Sequence, residues 1–501
     1  MNDNLYSVFE RHFPADRTKP FILYPDGTAI RYAELDAETA RLANAMADMG
    51  LVPGDRVTVQ VEKSPRAVAL YLACIRAGFV FHPLNTAYQR SELEYFLGNA
   101  GPKLVVCDPH SLALIQELCA DAGIHHVHTL DSDGFGSLSQ AAANQLASFH
   151  TVERKADDLA SLLYSSGTTG RPKGVMLSHG NLSSNAATLA GLWGFTAEDR
   201  LLHALPIFHV HGLFVAIGCV LMRGASMWFL PKFDPAEIIR LLPASTVFMG
   251  VPTFYTRLLA TPAFTAGACR TVRLFVSGSA PLLGETFNEF EARTGHRILE
   301  RYGMTETGMN TSNPLDGERR AGSVGLPLPG VGVRVVDDDG APAAPDSVGQ
   351  IQVKGPNVFK GYWHMPEKTA EEFTADGWFR TGDMGEVAAD GYVTIVGRAK
   401  DLIISGGLNI YPKEIELCID AMDGVRESAV FGVAHADFGE AVAAAVVLRD
   451  GAAVTPDEVI GHVKARMANF KVPKQVHVLP DLPRNTMGKV QKNVLRDTFG
   501  H

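Results

Sequence analysis

Cysteine is scarce in the 501-residue sequence, and none of it is closely paired: Cys74, Cys107, Cys119, Cys219, Cys269 and Cys418 are scattered, several inside apolar runs. That excludes a disulfide scaffold and a zinc ribbon, and predicts reduced, buried thiols in a cytoplasmic protein. Long apolar runs are lacking as well. The longest, Leu213 to Met222, is too short to cross a bilayer, and Met1-Asn2-Asp3-Asn4-Leu5 has neither the basic nor the apolar part of an export signal. Positive charge is not in excess. A formal net charge of -10 argues against a nucleic acid or an anionic membrane as partner, so any anionic substrate must be held by a local cationic pocket. No Gly-Lys is followed by Ser or Thr, which excludes a Walker A loop. His125, His126 and His128 have no cysteine or acidic ligand pattern beside them, so no metal centre is expected there. Repeats and low-complexity segments are absent, and no Ser–His or Cys–His arrangement has the local context of a covalent nucleophile.

What is present is an alternation of strand and helix patterns in a chain too long for one hydrophobic core. Residues 1 to about 155 read as a first α/β portion, with a helix from Tyr32 to Met49, a strand over Arg56–Val61, a helix from Arg66 to Ala77 and a buried strand at Leu104–Cys107. A second α/β portion runs through Leu201–Pro206, Trp228–Leu230, Thr246–Pro252 and Leu274–Gly278, each ending in a turn where ligand-binding residues collect. From Gly325 to Gly397 short alternating strands with Asp-Gly turns predict a compact β subdomain. About a hundred residues remain, enough for a small α+β domain.

Between the two α/β portions the buried strand Leu159–Tyr164 is followed by Ser165-Ser166-Gly167-Thr168-Thr169-Gly170-Arg171-Pro172-Lys173-Gly174. Glycines let backbone N–H groups converge on one point, and the hydroxyls and cations add donors around it, which is what a polyphosphate needs. Read alone, the same stretch is a mobile loop. Further on stand Glu300-Arg301-Tyr302-Gly303-Met304-Thr305-Glu306-Thr307, Phe379-Arg380-Thr381-Gly382-Asp383, Gly397-Arg398-Ala399-Lys400-Asp401 and Asn485-Thr486-Met487-Gly488-Lys489.

In this order and spacing the motifs resemble the adenylate-forming superfamily of acyl- and aryl-CoA synthetases, luciferases and peptide-synthetase adenylation domains, over about Phe9 to Lys489. The resemblance implies ATP, Mg²⁺ and coenzyme A as co-substrates, and a substrate carboxylate as nucleophile. Ser165 to Gly170 and Lys173 would hold the phosphates, Thr168 and Glu306 the metal, and Glu300 to Thr305 the nucleotide, with Tyr302 on adenine. Asp383 would take the ribose hydroxyls and Arg398 a ribose or phosphate oxygen; Ser279 and Ala280 would wall the pocket. Asp383 and Glu306 otherwise read as a turn residue and a helix-start residue. Lys489 would reach the α-phosphate and the attacking carboxylate, where a cation stabilises the charge of an in-line transition state. A large domain, residues 1–397, would be joined by a hinge at 398–401, pivoting on Lys400, to a small mobile domain, 402–501. After its rotation Ser405, Gly406 and Gly407 would line the pantetheine tunnel.

Within the superfamily the likeness is nearest to malonyl-CoA synthetases. Malonate's second carboxylate must be paired when it loses water, and a guanidinium suits it. The resemblance puts Arg257 in that role, with Arg273 as a rival; His209 would cover the acyl pocket and Met309 limit its depth. The expected reaction is malonate, ATP and CoA to malonyl-CoA, AMP and pyrophosphate, with methylmalonate as a possible second acid. A medium-chain or aryl-acid CoA ligase and a non-catalytic nucleotide-binding relative are the other readings. Because neutralising Lys489 would stop adenylation, a protein acetyltransferase and deacetylase acting on it are expected partners.

Overall fold

The computed structural model describes residues 2–24, 26–165, 172–405, 408–435, 439–485 and 488–500. Ser166, Gly167, Thr168, Thr169, Gly170, Arg171, Gly406 and Gly407, all expected site residues or their neighbours, lie outside the described residues.

Four sheets organise the chain, as the sequence predicts: two α/β layers, a small antiparallel sheet and a C-terminal α+β unit. The first sheet has six strands, in the order His126–Thr129, Leu104–Cys107, Arg56–Gln60, Val80–Pro83, Leu159–Ser165 and Lys173–Ser178. Its centre is parallel and covered on both faces, which is why Leu104–Cys107 is apolar throughout. Helix Pro65–Arg76 begins on Ser64, whose side chain accepts from Ala67 N, and carries a proline in its first turn. Nearly every later residue of that helix is buried, so its sequence is apolar all round.

The second sheet has nine strands, with Leu299–Met304, Leu274–Ser277, Val247–Gly250, Arg200–His203 and Ser226–Phe229 parallel at its centre. One expectation needs correction here. Pro20–Leu23, read as part of the first portion, pairs with Ser226–Phe229 in the second sheet and in turn with Ala29–Arg31 at its edge, while Leu159–Ser165 and Lys173–Ser178 close the first. Partner choice between strands some two hundred residues apart leaves no trace in local periodicity.

Gly332–Val336, Gly349–Lys354, Phe379–Val387 and Val393–Arg398 form the antiparallel four-stranded sheet. Beyond it the C-terminal unit has its own core, with Ile403, Ile410, Ile415, Ile419, Val430, Val446, Val459 and Val463 buried together. Among the described residues no helix is long and apolar enough to cross a membrane. All six cysteines are free thiols, and all but Cys418 are buried.

Candidate active site

The strand ends of the second sheet, the edge of the antiparallel sheet and the last loop of the C-terminal unit face one another. Ser165 and Lys173 are register partners on the antiparallel strands Leu159–Ser165 and Lys173–Ser178 at the edge of the first sheet. Ser165 Oγ donates to Glu306 Oε1 at 2.8 Å, and Tyr362 OH donates to the same oxygen at 3.3 Å. Among the described residues Oε2 accepts nothing, leaving one carboxylate oxygen of a nearly buried group for a hard cation that phosphates also ligate. Glu306 occupies the turn between the antiparallel strands Leu299–Met304 and Gly308–Ser312, not a helix start. No group of three or more His, Cys, Asp or Glu that could hold a metal occurs among the described residues, so a metal here depends on substrate oxygens. Lys173 turns to protein partners: its buried Nζ lies 3.6 Å from Glu372 and 4.2 Å over the Tyr362 ring.

Asp383 lies within strand Phe379–Val387, not in a turn, opposite Arg398. Arg398 Nε sits 2.6 Å from its Oδ1, and the Tyr302 hydroxyl donates a short bond to Oδ2. One carboxylate thereby fixes both the ring and the guanidinium, and each oxygen keeps a lone pair for an incoming hydroxyl. Lys489 approaches this cluster from the C-terminal unit. It keeps contact with solvent, yet protein surrounds it, and burial together with Arg398 and Lys400 brings its ammonium down to about 8. Lys400 is exposed in the turn Ala399–Asp401, whose Asp401 pairs with Arg496 at 2.6 Å. Ser405 ends strand Ile403–Ser405.

On the far side of Tyr302 the chemistry changes. Arg301 is buried and, among the described residues, makes no salt bridge and no hydrogen bond through Nε or Nη2, with Glu300 acting on it only as a neighbouring charge. Burial brings it down to about 10. Its guanidinium covers Gly278 so closely that a Cβ there would lie 2.5 Å from Cζ. Ser279 follows in a left-handed conformation, φ 73°, with Oγ 3.3 Å from His211 Nδ1. His211 Nε2 is buried and unpartnered, as is one oxygen of Glu300, whose other oxygen accepts from Leu282 N at 3.1 Å. Burial pushes the Glu300 carboxyl up to about 7 and holds His209 neutral, down to about 4. Met309 is buried, its main chain clamped by the side chain of Asn185, and its Cε lies over Gly303.

The remaining expected residues are placed as follows. Arg273 belongs elsewhere: it pairs with Asp199 at 2.7 Å and donates to the Trp193 and Gly194 carbonyls. Arg257 is exposed on helix Pro252–Leu259, on the face that carries Thr253, and its guanidinium has no partner among the described residues. Ala280 and Met304 border the site half-buried, and Gly303 and Thr305 lie in the same hairpin as Glu306. Tyr362, His211, Asn185 and Asn357, whose Nδ2 donates to the Thr307 and Met309 carbonyls at 2.8 and 3.1 Å, were not anticipated. Tyr362 stands outside every glycine-marked motif, and only the tertiary structure brings it to Glu306.

Comparison with known proteins follows the same division of the chain. The AMP-binding enzyme family model matches residues 9–363, and the model of the AMP-binding enzyme C-terminal domain matches residues 414–489. The malonate–CoA ligase of Arabidopsis thaliana is 36% identical over 483 residues, 90% of this chain and 79% of that protein. The feruloyl-CoA synthase of an Amycolatopsis species is 35% identical over 482 residues, 95% of each. Among solved structures, ATP-bound MatB from Rhodopseudomonas palustris superposes with a TM-score of 0.98 at 55% identity, covering 100% of this chain and 99% of that one.

Proposed function

The chain belongs to the AMP-binding enzyme family, and from that premise we propose that it is an AMP-forming malonate–CoA ligase, converting malonate, ATP and CoA to malonyl-CoA, AMP and pyrophosphate through a malonyl-adenylate. The observation that carries the choice of acid is Arg301, a buried guanidinium with no salt bridge among the described residues, whose carboxyl neighbour Glu300 is itself pushed up to about 7 by burial. A dicarboxylate supplies the missing charge with one end while its other end faces the α-phosphate. The role expected of Arg257 therefore passes to Arg301, with Ser279 and His211 completing the seat. An apolar acyl chain or an aromatic ring would leave that cation bare in a dry pocket, which costs several kcal/mol. This weighs against the medium-chain and aryl-acid readings.

The chain's own groups then divide the work. Tyr302 and Arg398 hold Asp383 for the ribose hydroxyls. Glu306, oriented by Ser165 and Tyr362, would hold Mg²⁺, which when bound neutralises charge on the transferring phosphates. Lys489 places its ammonium between two anions that repel each other, the malonate carboxylate and the α-phosphate. No protein nucleophile is required. We assign residues 1–397 to the large domain, 398–401 to a hinge at Lys400 and 402–501 to a small domain that carries Lys489 away before CoA enters past Ser405.

Two finer assignments accompany this reading. Six reduced thiols suit a cytoplasmic enzyme. Lys489, solvent-accessible and partly neutral near pH 8, is chemically suited to acylation by a protein acetyltransferase, and incubation with acetyl donor and transferase should lower activity; unchanged activity counts against it. The main test is pyrophosphate–ATP exchange with malonate, methylmalonate, octanoate and 4-coumarate. Exchange should be fastest with malonate; exchange confined to octanoate or coumarate would transfer the chain to the alternative ligases, and silence with every acid would favour the non-catalytic reading.

A further inference from the structure

The loop that carries Lys489 is a closed hairpin. Gln491 N donates to Pro483 O at 2.8 Å, Asn485 N to Lys489 O at 2.9 Å and Gly488 N to Asn485 O at 2.9 Å, while Asn485 Oδ1 accepts from Lys489 N at 2.9 Å. These bonds shape the hairpin but do not tie it to the rest of the C-terminal unit. Among the described residues, besides apolar packing of Leu482 and Val490, Arg484 ties it there. Its Nη1 donates to the carbonyl of Gly488 at 2.7 Å, one residue before Lys489, and its Nη2 makes a short ion pair with Glu427 on strand Val425–His435. The pair is three-quarters or more buried at both ends. On the opposite side Gly488 rests on the large domain, where a Cβ would lie 3.2 Å from Thr253 Oγ1. Lys489 therefore hangs between a charged anchor in its own unit and a contact with helix Pro252–Leu259.

We propose that Arg484, seated on Glu427, is a positioning residue for the acid-activating half-reaction: it fixes the height at which Lys489 enters the site and takes no part in thioester formation. A charge-assisted bond to a carbonyl adjacent to the working residue is stiffer than a neutral one, and an ångström of misplacement is enough to cost a catalytic group most of its effect. Replacing Arg484 does not strand Glu427, because Arg426 lies 3.6 Å from its other oxygen. The expected loss is therefore one of position and not of folding. The inference rests on the adenylating reading above.

The test uses the full chain and separates the halves of the reaction: malonate-dependent pyrophosphate–ATP exchange, and release of malonyl-CoA from supplied malonyl-adenylate and CoA. In Arg484→Gln the exchange kcat should fall by about 10- to 100-fold with KM for ATP little changed, while thioester formation stays within about twofold. Arg484→Lys should recover part of the loss. Glu427→Gln should share it, and the double variant should be no worse than Arg484→Gln alone, because the two act as one anchor. Exchange undiminished in Arg484→Gln, additive losses in the double variant, or equal loss of both halves, including loss through misfolding, would overturn the inference. If the unaltered chain shows no exchange with malonate, the functional reading itself fails, a result distinct from any of these.

Discussion

Arg301 differs from most buried cations in that removing it relieves a cost. In Arg301→Gln, kcat/KM for malonate should drop by about 10²–10³-fold, while the melting temperature holds or rises, since a buried guanidinium that makes no salt bridge among the described residues leaves the interior. Parallel losses of turnover and stability would show instead that Arg301 is part of the scaffold. Lys489 gives a pH prediction. Its ammonium is lowered to about 8, so the charged form that adenylation needs is complete below that value and fades above it. The kcat/KM profile for exchange should therefore fall on its alkaline side from about pH 8, with the limb moved upward in kcat, because bound nucleotide favours the cation. Glu300 acts on stability instead, and its effect is also lost as the pH rises. Its carboxyl is raised from 4.5 to about 7, so the folded chain binds the proton more tightly than the unfolded one. Its contribution is whole below 4.5 and disappears as the pH climbs through about 7, by about 3 kcal/mol at most. Urea unfolding between pH 5 and 8 should show a slope that Glu300→Gln flattens.

At the scale of elements, the hairpin from Leu299–Met304 to Gly308–Ser312 does two jobs, carrying Arg301 and Tyr302 on one strand and Glu306 at its tip. Gly303 makes the turn possible: a Cβ there would lie 2.0 Å from Gly308 O and 2.6 Å from Met309 Cε. Gly303→Ala should pry the strands apart and cost exchange activity at least about tenfold, with a higher demand for Mg²⁺; activity within twofold would mean that the hairpin yields. This element also marks how far the sequence could be read. Its glycines and Glu306 were legible because close approach and metal chemistry restrict residue type. The burial of Arg301 was hidden, since a motif neighbour looks like part of the motif, and whether an arginine is paired depends on side chains from distant strands. The exposure of Arg257 was hidden too: helical spacing shows which face a residue occupies, not what that face meets. The strands Pro20–Leu23 and Ala29–Arg31 fell within the first portion without being singled out, and the sheet they join was not legible at all.

Taken whole, the molecule is two units with separate cores and a contact that chemistry has kept weak. Arg449 of the C-terminal unit meets Glu285 of helix Gly284–Thr294 at 2.5 Å, with both side chains about half exposed. Such a pair is worth roughly 1 kcal/mol or less and is screened by salt. Arg449→Ala should leave exchange within about threefold, whereas Lys400→Pro, which locks a backbone dihedral at the proposed hinge, should spare exchange and slow thioester formation from malonyl-adenylate by about a hundredfold. Equal slowing of both steps in Lys400→Pro would move the pivot elsewhere. The guanidinium packed on Gly278, whose carboxyl neighbour Glu300 burial pushes up to about 7, has a thermodynamic corollary for the empty protein. If it seats the second carboxylate as proposed, malonate should shift the melting curve upward with no nucleotide present, and acetate, having a single charge to offer, should leave it where it was.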